Sequence, residues 1–210
     1  RGPDDEGVWY DKTCNVGLAH RRLSVRDLSS AGHQPLFSKC KDVSIIYNGE
    51  IYNTKELYNE LVMDGYHFIG SSDTEVILNL YLKYGFELLT KLNGIFAFAI
   101  WDSRNKQLFL ARDKMGVKPV YYSKTSKGFI FASEIKALLK ESSVSREINP
   151  VALASHISYL WSPAPSTMLK SVQKLEPGFA MVILEGKVKK KWRFYTPTFL
   201  QQIPDISVNN

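Results

Sequence analysis

The sequence predicts an α+β fold with antiparallel sheets, and three of its features lead to this class. Short runs rich in β-branched and aromatic residues recur along the chain and are joined by short turns, as in hairpins. A few segments have the apolar period of amphipathic helices and begin at N-capping residues. The chain has 210 residues, of which 44% are hydrophobic, so it can bury the core of one globular domain.

Capping residues indicate where three helices begin, and the predicted helices span 53–61, 72–84 and 149–159. Asn53 and Ser72 are each followed three residues later by a glutamate, which is the spacing of a capping box. Pro150 after Asn149 is typical of a first helical position, and Gly85 is predicted to end the second helix. The apolar faces of the first two helices consist of Leu57, Tyr58, Leu61, Val76, Ile77, Leu80 and Tyr81.

The strands are predicted as three hairpins, which pair 95–101 with 107–112, 120–123 with 129–133, and 180–184 with 187–194. The strand at 95–101 carries Phe96, Phe98 and Trp101, and burial on both faces explains these aromatic residues better than a ligand platform. The basic run at 187–191 follows a Glu-Gly turn and is interpreted as the solvated face of a hairpin strand.

Five residues form a candidate site. Arg22 follows the apolar run 16–19, so we expect it at the end of a strand, where a guanidinium can hold a small carboxylate through two bonds. Asn48 and Gly49 are predicted to end the strand 43–47, and their side-chain amide and unhindered N–H can donate to one oxyanion. Glu50 and Asp73 add carboxylates for an ammonium group. The pattern is that of a clamp for an α-amino acid.

Each of these residues also has a purely structural interpretation. An arginine after a strand is commonly a surface residue, Asn-Gly after a strand is commonly a hairpin turn, and Asp73 beside Ser72 can simply begin a helix. The combination is more specific than any one of its parts.

The motifs around these residues identify a family. They are RGPD at 1–4, AHRRLS at 19–24, YNGEIYN at 47–53, SSDTEV at 71–76, LNGIFAFAIWD at 92–102, ARD at 111–113, GVKPVYY at 116–122 and ASEIKAL at 132–138. In this order they resemble the glutaminase domain of glutamine-hydrolysing asparagine synthetase, nearly continuously from 1 to 139. The resemblance implies the four-layer αββα sandwich of N-terminal-nucleophile hydrolases. It also implies a glutamine amidotransferase domain at 1–195 and a linker at 196–210 toward a missing synthetase domain.

The resemblance implies a class II amidotransferase reaction, in which an N-terminal cysteine attacks the side-chain amide of glutamine and its own α-amine serves as base. By motif, Arg22 would bind the carboxylate of glutamine, and the Asn48 side chain with the Gly49 N–H would form the oxyanion hole. Glu50 and Asp73 would hold the α-amino group. The wall beside Arg22 would be formed by Leu23, Ser24, Val25 and Arg26. The family has an apolar residue at the position of Arg26, so that assignment departs from its pattern.

The nucleophile of this reaction is expected before Arg1, so we expect the fragment as given to be inactive. Cys14 and Cys40 are not terminal and have no free α-amine to act as base, so they are interpreted as ordinary thiols. Two cysteines and no secretory segment are typical of a protein of the reducing cytoplasm.

Glutamine and a synthetase domain in cis are the partners that the resemblance implies, and a homodimer is open for the full-length enzyme. No Ser-Gly-Gly-x-Asp-Ser loop occurs, so ATP and Mg are assigned to the missing domain and no cofactor to this fragment. The four histidines lack metal-ligand spacing, which predicts no metal site. The net charge of +6 is spread among acidic residues, so nucleic-acid binding is not expected, and no apolar run is long enough to span a membrane.

Three hypotheses about function remain open. The first is the glutaminase domain of an asparagine synthetase that uses ATP to amidate aspartate. The second is a catalytically dead module that binds glutamine. The third is an amidotransferase domain that delivers ammonia to another acceptor, such as a sugar or an intermediate of secondary metabolism.

Overall fold

The computed structural model describes residues 2–23 and 30–197, and the fold is built from eleven strands and five α-helices within these ranges. The strands are β1 (Asp5–Asp11), β2 (Val16–Arg22), β3 (Leu36–Phe37), β4 (Val43–Ile51), β5 (Gly94–Asp102), β6 (Gln107–Arg112), β7 (Tyr121–Thr125), β8 (Gly128–Ala132), β9 (Gln173–Lys174), β10 (Phe179–Leu184) and β11 (Lys187–Arg193). The helices are α1 (Thr54–Met63), α2 (Asp73–Tyr84), α3 (Leu88–Lys91), α4 (Ile135–Leu138) and α5 (Pro150–Tyr159). Two short 3-10 turns lie at Ser30–Gly32 and Gly85–Glu87.

One six-stranded sheet organises the fold, with the order β11-β10-β6-β5-β4-β3 and every neighbouring pair antiparallel. Strands β1 and β2 form a separate hairpin, and β8-β7-β9 form a third sheet. The central strand β5 is buried on both faces, because Phe96 and Phe98 enter one core while Ala97 and Trp101 enter the other. The interpretation of these aromatic residues as core is confirmed.

Two hydrophobic cores lie between the layers of this sandwich. The first lies between the six-stranded sheet and the helices α1, α2 and α3, and the second between the same sheet and the strands of the other two sheets. A smaller third cluster packs α4 against β7 and β8. The order is therefore helix, sheet, sheet, helix, which confirms the predicted α+β sandwich with antiparallel sheets. The outer helical layer is thin, since α4 has only four residues.

The predicted helices are present, but one cap differs from the expectation. Ser72 caps α2 by accepting a bond from the backbone N–H of Glu75, and Asn149 caps α5 by accepting from two backbone N–H groups. Asn53 occupies the N-cap position of α1 without capping it, because its side chain donates to the Lys91 carbonyl and accepts from the Asn93 N–H. The capping-box prediction was therefore wrong at Asn53, whose amide instead joins α1 to the loop before β5. At Ser72 it was only half right, because the Glu75 carboxylate accepts from the N–H groups of Ile69 and Gly70.

The three predicted hairpins are confirmed within a residue or two, and the end of β4 is corrected. Asn48 and Gly49 do not end the strand, which continues to Ile51 and pairs with β5 throughout. The hairpin-turn interpretation of Asn-Gly is therefore also wrong. Strand β1 was not predicted, because its sequence does not follow its burial: the exposed positions include Val8 and Tyr10, while the most buried position is Gly7. The basic strand β11 lies at the edge of the sheet with its lysines mostly exposed, as interpreted from the sequence.

Arg112 and Asp113 hold the loop that follows β6. The guanidinium of Arg112 donates to the carbonyls of Gly116, Lys118 and Leu175. The fully buried carboxylate of Asp113 accepts backbone N–H bonds from the following residues 115, 117 and 118 and from Phe96. Their interpretation as loop architecture is therefore supported by every one of these contacts. None of the helices in the described ranges has the length and apolar character needed to cross a bilayer.

Candidate functional site

The candidate site lies along the edge of β4 that faces away from β5, past the end of the short strand β3. Within the described residues, the ladder between β3 and β4 covers Ser44 and Ile45 and does not extend to Tyr47 or beyond. The polar groups of β4 past this ladder are met by side chains from β2, from the segment before β3 and from α2. This edge brings together groups that are distant in sequence.

Tyr47 is the first residue of this edge. Its backbone N–H donates to Oε1 of Gln34 at 2.6 Å, and its backbone carbonyl lies within hydrogen-bond reach of the His20 ring on β2. Its phenolic O–H donates to Oδ2 of Asp73 at 2.7 Å. One residue of β4 therefore links β2 and α2 to the candidate site.

Asp73 begins α2, and its carboxylate reaches the same edge of β4. Oδ2 of Asp73 also accepts the backbone N–H of Ile51 at 3.2 Å. Both bonds fall on this one oxygen, and no group in the described ranges donates to Oδ1. A carboxylate at the first position of a helix is further stabilised by the helix dipole. Asp73 is thus a fixed, largely buried anion, and it begins the helix in addition to facing the site.

The N–H of Gly49 points along this edge and away from the ladder with β5. In a strand, alternate N–H groups point the same way, and those of Tyr47 and Ile51 both leave β4 on the edge side. Across the ladder, the N–H and carbonyl of Phe96, the partner of Gly49, bond to Asp113 on the far side. The Gly49 donor therefore lies between the contacts of Gln34 and Asp73.

Close packing explains why residue 49 is a glycine. A Cβ atom added to Gly49 would lie 2.2 Å from the carbonyl oxygen of Ile95 and 2.8 Å from the Cα of Phe96. Both atoms belong to the backbone of β5, so neither can move aside cheaply. The absence of a side chain lets the two strands meet while the N–H of Gly49 points to the side of β4 away from β5.

Arg22 is the last residue of β2, as predicted, and is only 9% exposed. Its guanidinium lies against the backbone of Gly32, since a Cβ there would come within 2.0 Å of Nη2. Leu18, His20 and Arg22 alternate along β2, so they share the face of the hairpin that turns toward the sandwich. The hydrogen bond with His33 lowers the pKa of nearby Asp5, and the positive charge of Arg22 adds a smaller contribution in the same direction.

Of the remaining predicted site residues, the structure describes Leu23, Asn48 and Glu50. Asn48 is exposed and Glu50 half-buried, and their side chains share the face of β4 opposite to Tyr47. Leu23 is exposed. Ser24, Val25 and Arg26 lie outside the described residues. Sequence reasoning missed the contributions of His20 and Gln34, although His20 stands inside the AHRRLS motif.

Neither cysteine lies near this edge. Cys14 is in the turn of the β1–β2 hairpin, and Arg22 is at the opposite end of β2, which at the rise of a strand is about 20 Å away. Cys40 precedes β4, and Gly49 follows the start of that strand by a similar distance of about 20 Å. Burial and the neighbouring Asp11 raise the pKa of Cys14, which disfavours its thiolate. In the described ranges, no group of three or more His, Cys, Asp or Glu residues is arranged to hold a metal ion.

We expect stability to depend on pH through His20. Burial lowers the pKa of His20 below its ordinary value of 6.5, and Nδ1 of its ring has no partner in the described part of the chain. The unfolded chain therefore takes up the proton first as the pH falls, so the stabilisation is present above pH 6.5 and is lost below it. Urea unfolding at several pH values should show a smaller acid loss in His20→Gln than in the wild type. A His20→Gln profile that matches the wild type, as the exposed His67→Gln control should, would contradict this assignment.

Comparisons with known proteins identify the family to which this chain belongs. The chain matches the family model of a glutamine amidotransferase domain over residues 1–195. It is 38% identical over 198 residues to asparagine synthetase (glutamine-hydrolyzing) 3 of Bacillus subtilis, covering 93% of this chain and 32% of that protein. It is 43% identical over 183 residues to asparagine synthetase (glutamine-hydrolyzing) 1 of the same organism, covering 87% of this chain and 28% of the relative. The chain thus spans about a third of the length of these relatives.

A solved structure shares the fold. It is the glutamine phosphoribosylpyrophosphate amidotransferase from B. subtilis complexed with ADP and GMP, which matches with a TM-score of 0.63 and 22% identity. The match covers 86% of this chain and 35% of that one. The chain therefore belongs to the glutamine amidotransferase domain family, and it is homologous to the glutaminase domains of asparagine synthetases.

Proposed function

We propose that this domain binds L-glutamine at the edge of β4, as the glutaminase part of an asparagine synthetase. The observation that carries the proposal is the fixed carboxylate of Asp73 on the same strand edge as the outward N–H of Gly49. An ammonium acceptor beside an amide donor is what an amino acid with a reactive side-chain amide requires. Membership of the amidotransferase family supports the same substrate.

Each clamp residue has one role in this proposal. Arg22 binds the α-carboxylate of glutamine through its guanidinium. Asp73, through Oδ1, and Glu50 accept from the α-ammonium group. Asn48 and the N–H of Gly49 donate to the oxygen of the side-chain amide when it becomes an oxyanion. The wall of the site beside Arg22 is proposed to consist of Leu23, Ser24, Val25 and Arg26.

The reaction needs a nucleophile that we propose is supplied from outside these 210 residues. A cysteine thiolate adds to the amide carbon of glutamine, ammonia leaves with a proton, and water cleaves the thioester to release glutamate. The positions of Cys14 and Cys40, each about 20 Å from the nearest clamp residue along its strand, argue against both. The nucleophile would reach the side-chain amide of glutamine beside the N–H of Gly49, where the oxyanion is proposed to form.

The ammonia would be used by the rest of a longer protein. The relatives are about three times as long as this chain, which supports a second domain in cis. We propose that the second domain holds ATP and Mg and amidates aspartate. We also propose that the whole protein can form a homodimer in the cytoplasm. Helix α5 supports a covering domain, since its exposed residues include Val151, Ile157 and Tyr159.

Two measurements on the purified chain test this function together. We expect titration calorimetry to detect L-glutamine binding, while an ammonia assay detects no release above background, because loss of the nucleophile lowers turnover by about a millionfold. Absence of binding would contradict the glutamine site itself. If the wild-type chain releases ammonia and Cys14→Ser or Cys40→Ser does not, the nucleophile lies within these 210 residues. That result would contradict its proposed origin outside the chain without affecting the proposed binding site.

A further inference from the structure

Gln34 lies beside the edge of β4, where its side chain contacts the backbone of Tyr47, and it is 5% exposed. It stands before the short strand β3, and its carboxamide reaches past the end of that strand. A buried side-chain amide needs partners for both its oxygen and its nitrogen, because leaving either one unpaired is costly. The partners of Gln34 are both neighbours of the proposed glutamine clamp.

The oxygen of the carboxamide extends the sheet. Backbone pairing between β3 and β4 reaches its limit at Leu36 and Ile45, and Tyr47 is the next residue whose N–H points to that side. Oε1 of Gln34 accepts this N–H at 2.6 Å, a short bond in the place where a backbone carbonyl would stand. The side chain of Gln34 thus extends the pairing along β4 as far as Tyr47, two residues before Gly49.

The nitrogen of the same carboxamide reaches α2. Nε2 of Gln34 donates to Oγ1 of Thr74 at 3.4 Å, which is a long bond and the weaker of the two. Thr74 is buried and directly follows Asp73. One neutral group therefore contacts both the strand that carries the Gly49 donor and the helix turn that carries the Asp73 carboxylate.

We propose that Gln34 is a positioning residue that fixes the spacing between the N–H of Gly49 and the carboxylate of Asp73. This role rests on the proposed function, because the two groups are taken to hold one glutamine molecule. Glutamine suits the task because it accepts and donates at once and brings no charge into the site. Leucine has a similar size and can do neither, and asparagine is shorter by one methylene.

The test uses Gln34→Leu in the 210-residue chain and reads the site without glutamine. The backbone N–H of Ile51 donates to Asp73, so its hydrogen exchange reports whether α2 keeps its place on β4. We expect this exchange to accelerate at least about tenfold, the equivalent of one lost hydrogen bond. We expect the affinity for L-glutamine to fall by about tenfold as well.

Gln107→Leu is the matched control. Gln107 lies on β6, and its Nε2 donates at 3.0 Å to the hydroxyl of Tyr81, which lies on α2 about two turns after Asp73. The control therefore removes a hydrogen bond to the same helix at a point away from the β4 edge. This variant should lose stability but keep the wild-type exchange of Ile51 and the wild-type affinity for glutamine. If Gln34→Leu does not fold, Thr74→Val removes the acceptor of Nε2 with little change of shape and should shift both readouts in the same direction by less.

The outcomes separate this role from the glutamine proposal. Faster exchange of Ile51 in Gln34→Leu, with the control unchanged, supports the positioning role even if the wild-type chain binds no glutamine, which would contradict the proposed function alone. Wild-type exchange of Ile51 in the folded variants overturns the positioning role. Equal acceleration in Gln107→Leu also overturns it, because the effect would then be general loss of stability.

Discussion

Replacing Arg22 with alanine is expected to lower the affinity of the chain for L-glutamine by at least about 100-fold. The guanidinium is nearly buried against Gly32 and is proposed to hold the α-carboxylate through two charged hydrogen bonds. Bonds of this kind contribute about 1.5–3 kcal/mol each, and about 1.4 kcal/mol corresponds to a factor of ten in affinity. Titration calorimetry on the folded variant measures the loss directly.

The neighbouring arginine provides the control for this experiment. Arg21 carries the same charge on the same strand, but its side chain is 62% exposed and pairs with Glu6 at 2.9 Å. Arg21→Ala should therefore bind glutamine within about twofold of the wild type, since exposed ion pairs contribute little. If Arg22→Ala keeps its fold and binds glutamine as the wild type does, Arg22 does not hold the carboxylate.

The second large effect is expected from Gly49→Ala, which should lower the free energy of unfolding by about 3 kcal/mol, the upper end for an overpacked site. The new Cβ would lie 2.2 Å from the carbonyl oxygen of Ile95, in the backbone of the central strand. Relief of this contact requires β4 and β5 to separate where their register places Gly49 opposite Phe96. Urea unfolding followed by circular dichroism measures the change.

Gly17→Ala is the control for the steric argument. Gly17 also lies in a strand, but a Cβ there would meet nothing closer than the ring of Tyr10 at 3.7 Å, an ordinary contact. Its stability should stay within about 0.5 kcal/mol of the wild type. Equal effects of the two substitutions would show that position 49 tolerates a side chain and that the close approach of the strands is not what selects glycine.

The elements with strong local signals could be predicted from the sequence. The strand β5 was recognised because its aromatic residues occupy both faces, and α2 because Ser72 and Gly85 mark its ends. The cap predicted at Asn53 was wrong, because its side-chain amide bonds to the backbone of Lys91 and Asn93, which are distant in sequence. A capping residue whose partners are set by tertiary structure cannot be distinguished from a true cap by local spacing.

The sequence proposed the members of the candidate site but did not predict their geometry. The motifs identified Arg22, Asn48, Gly49, Glu50 and Asp73, yet they placed Asn48 and Gly49 after a strand that in fact continues through them. Among the described strands, β3 covers only a short part of the β4 edge because it has two residues, and no pattern in the sequence predicted that length. The support from Gln34 depends on this edge, so it became visible only with the fold.

We propose that the edge of β4 holds a zwitterionic amino acid between Arg22 and Asp73. The most direct measurement compares the binding of L-glutamine with that of glutaramate, which keeps the carboxylate and the side-chain amide but lacks the α-amine. We expect saturable binding of L-glutamine, and binding of glutaramate weaker by at least about tenfold because the carboxylate of Asp73 loses its charged partner. Equal affinities of the two compounds, or no binding of L-glutamine, would contradict the claim.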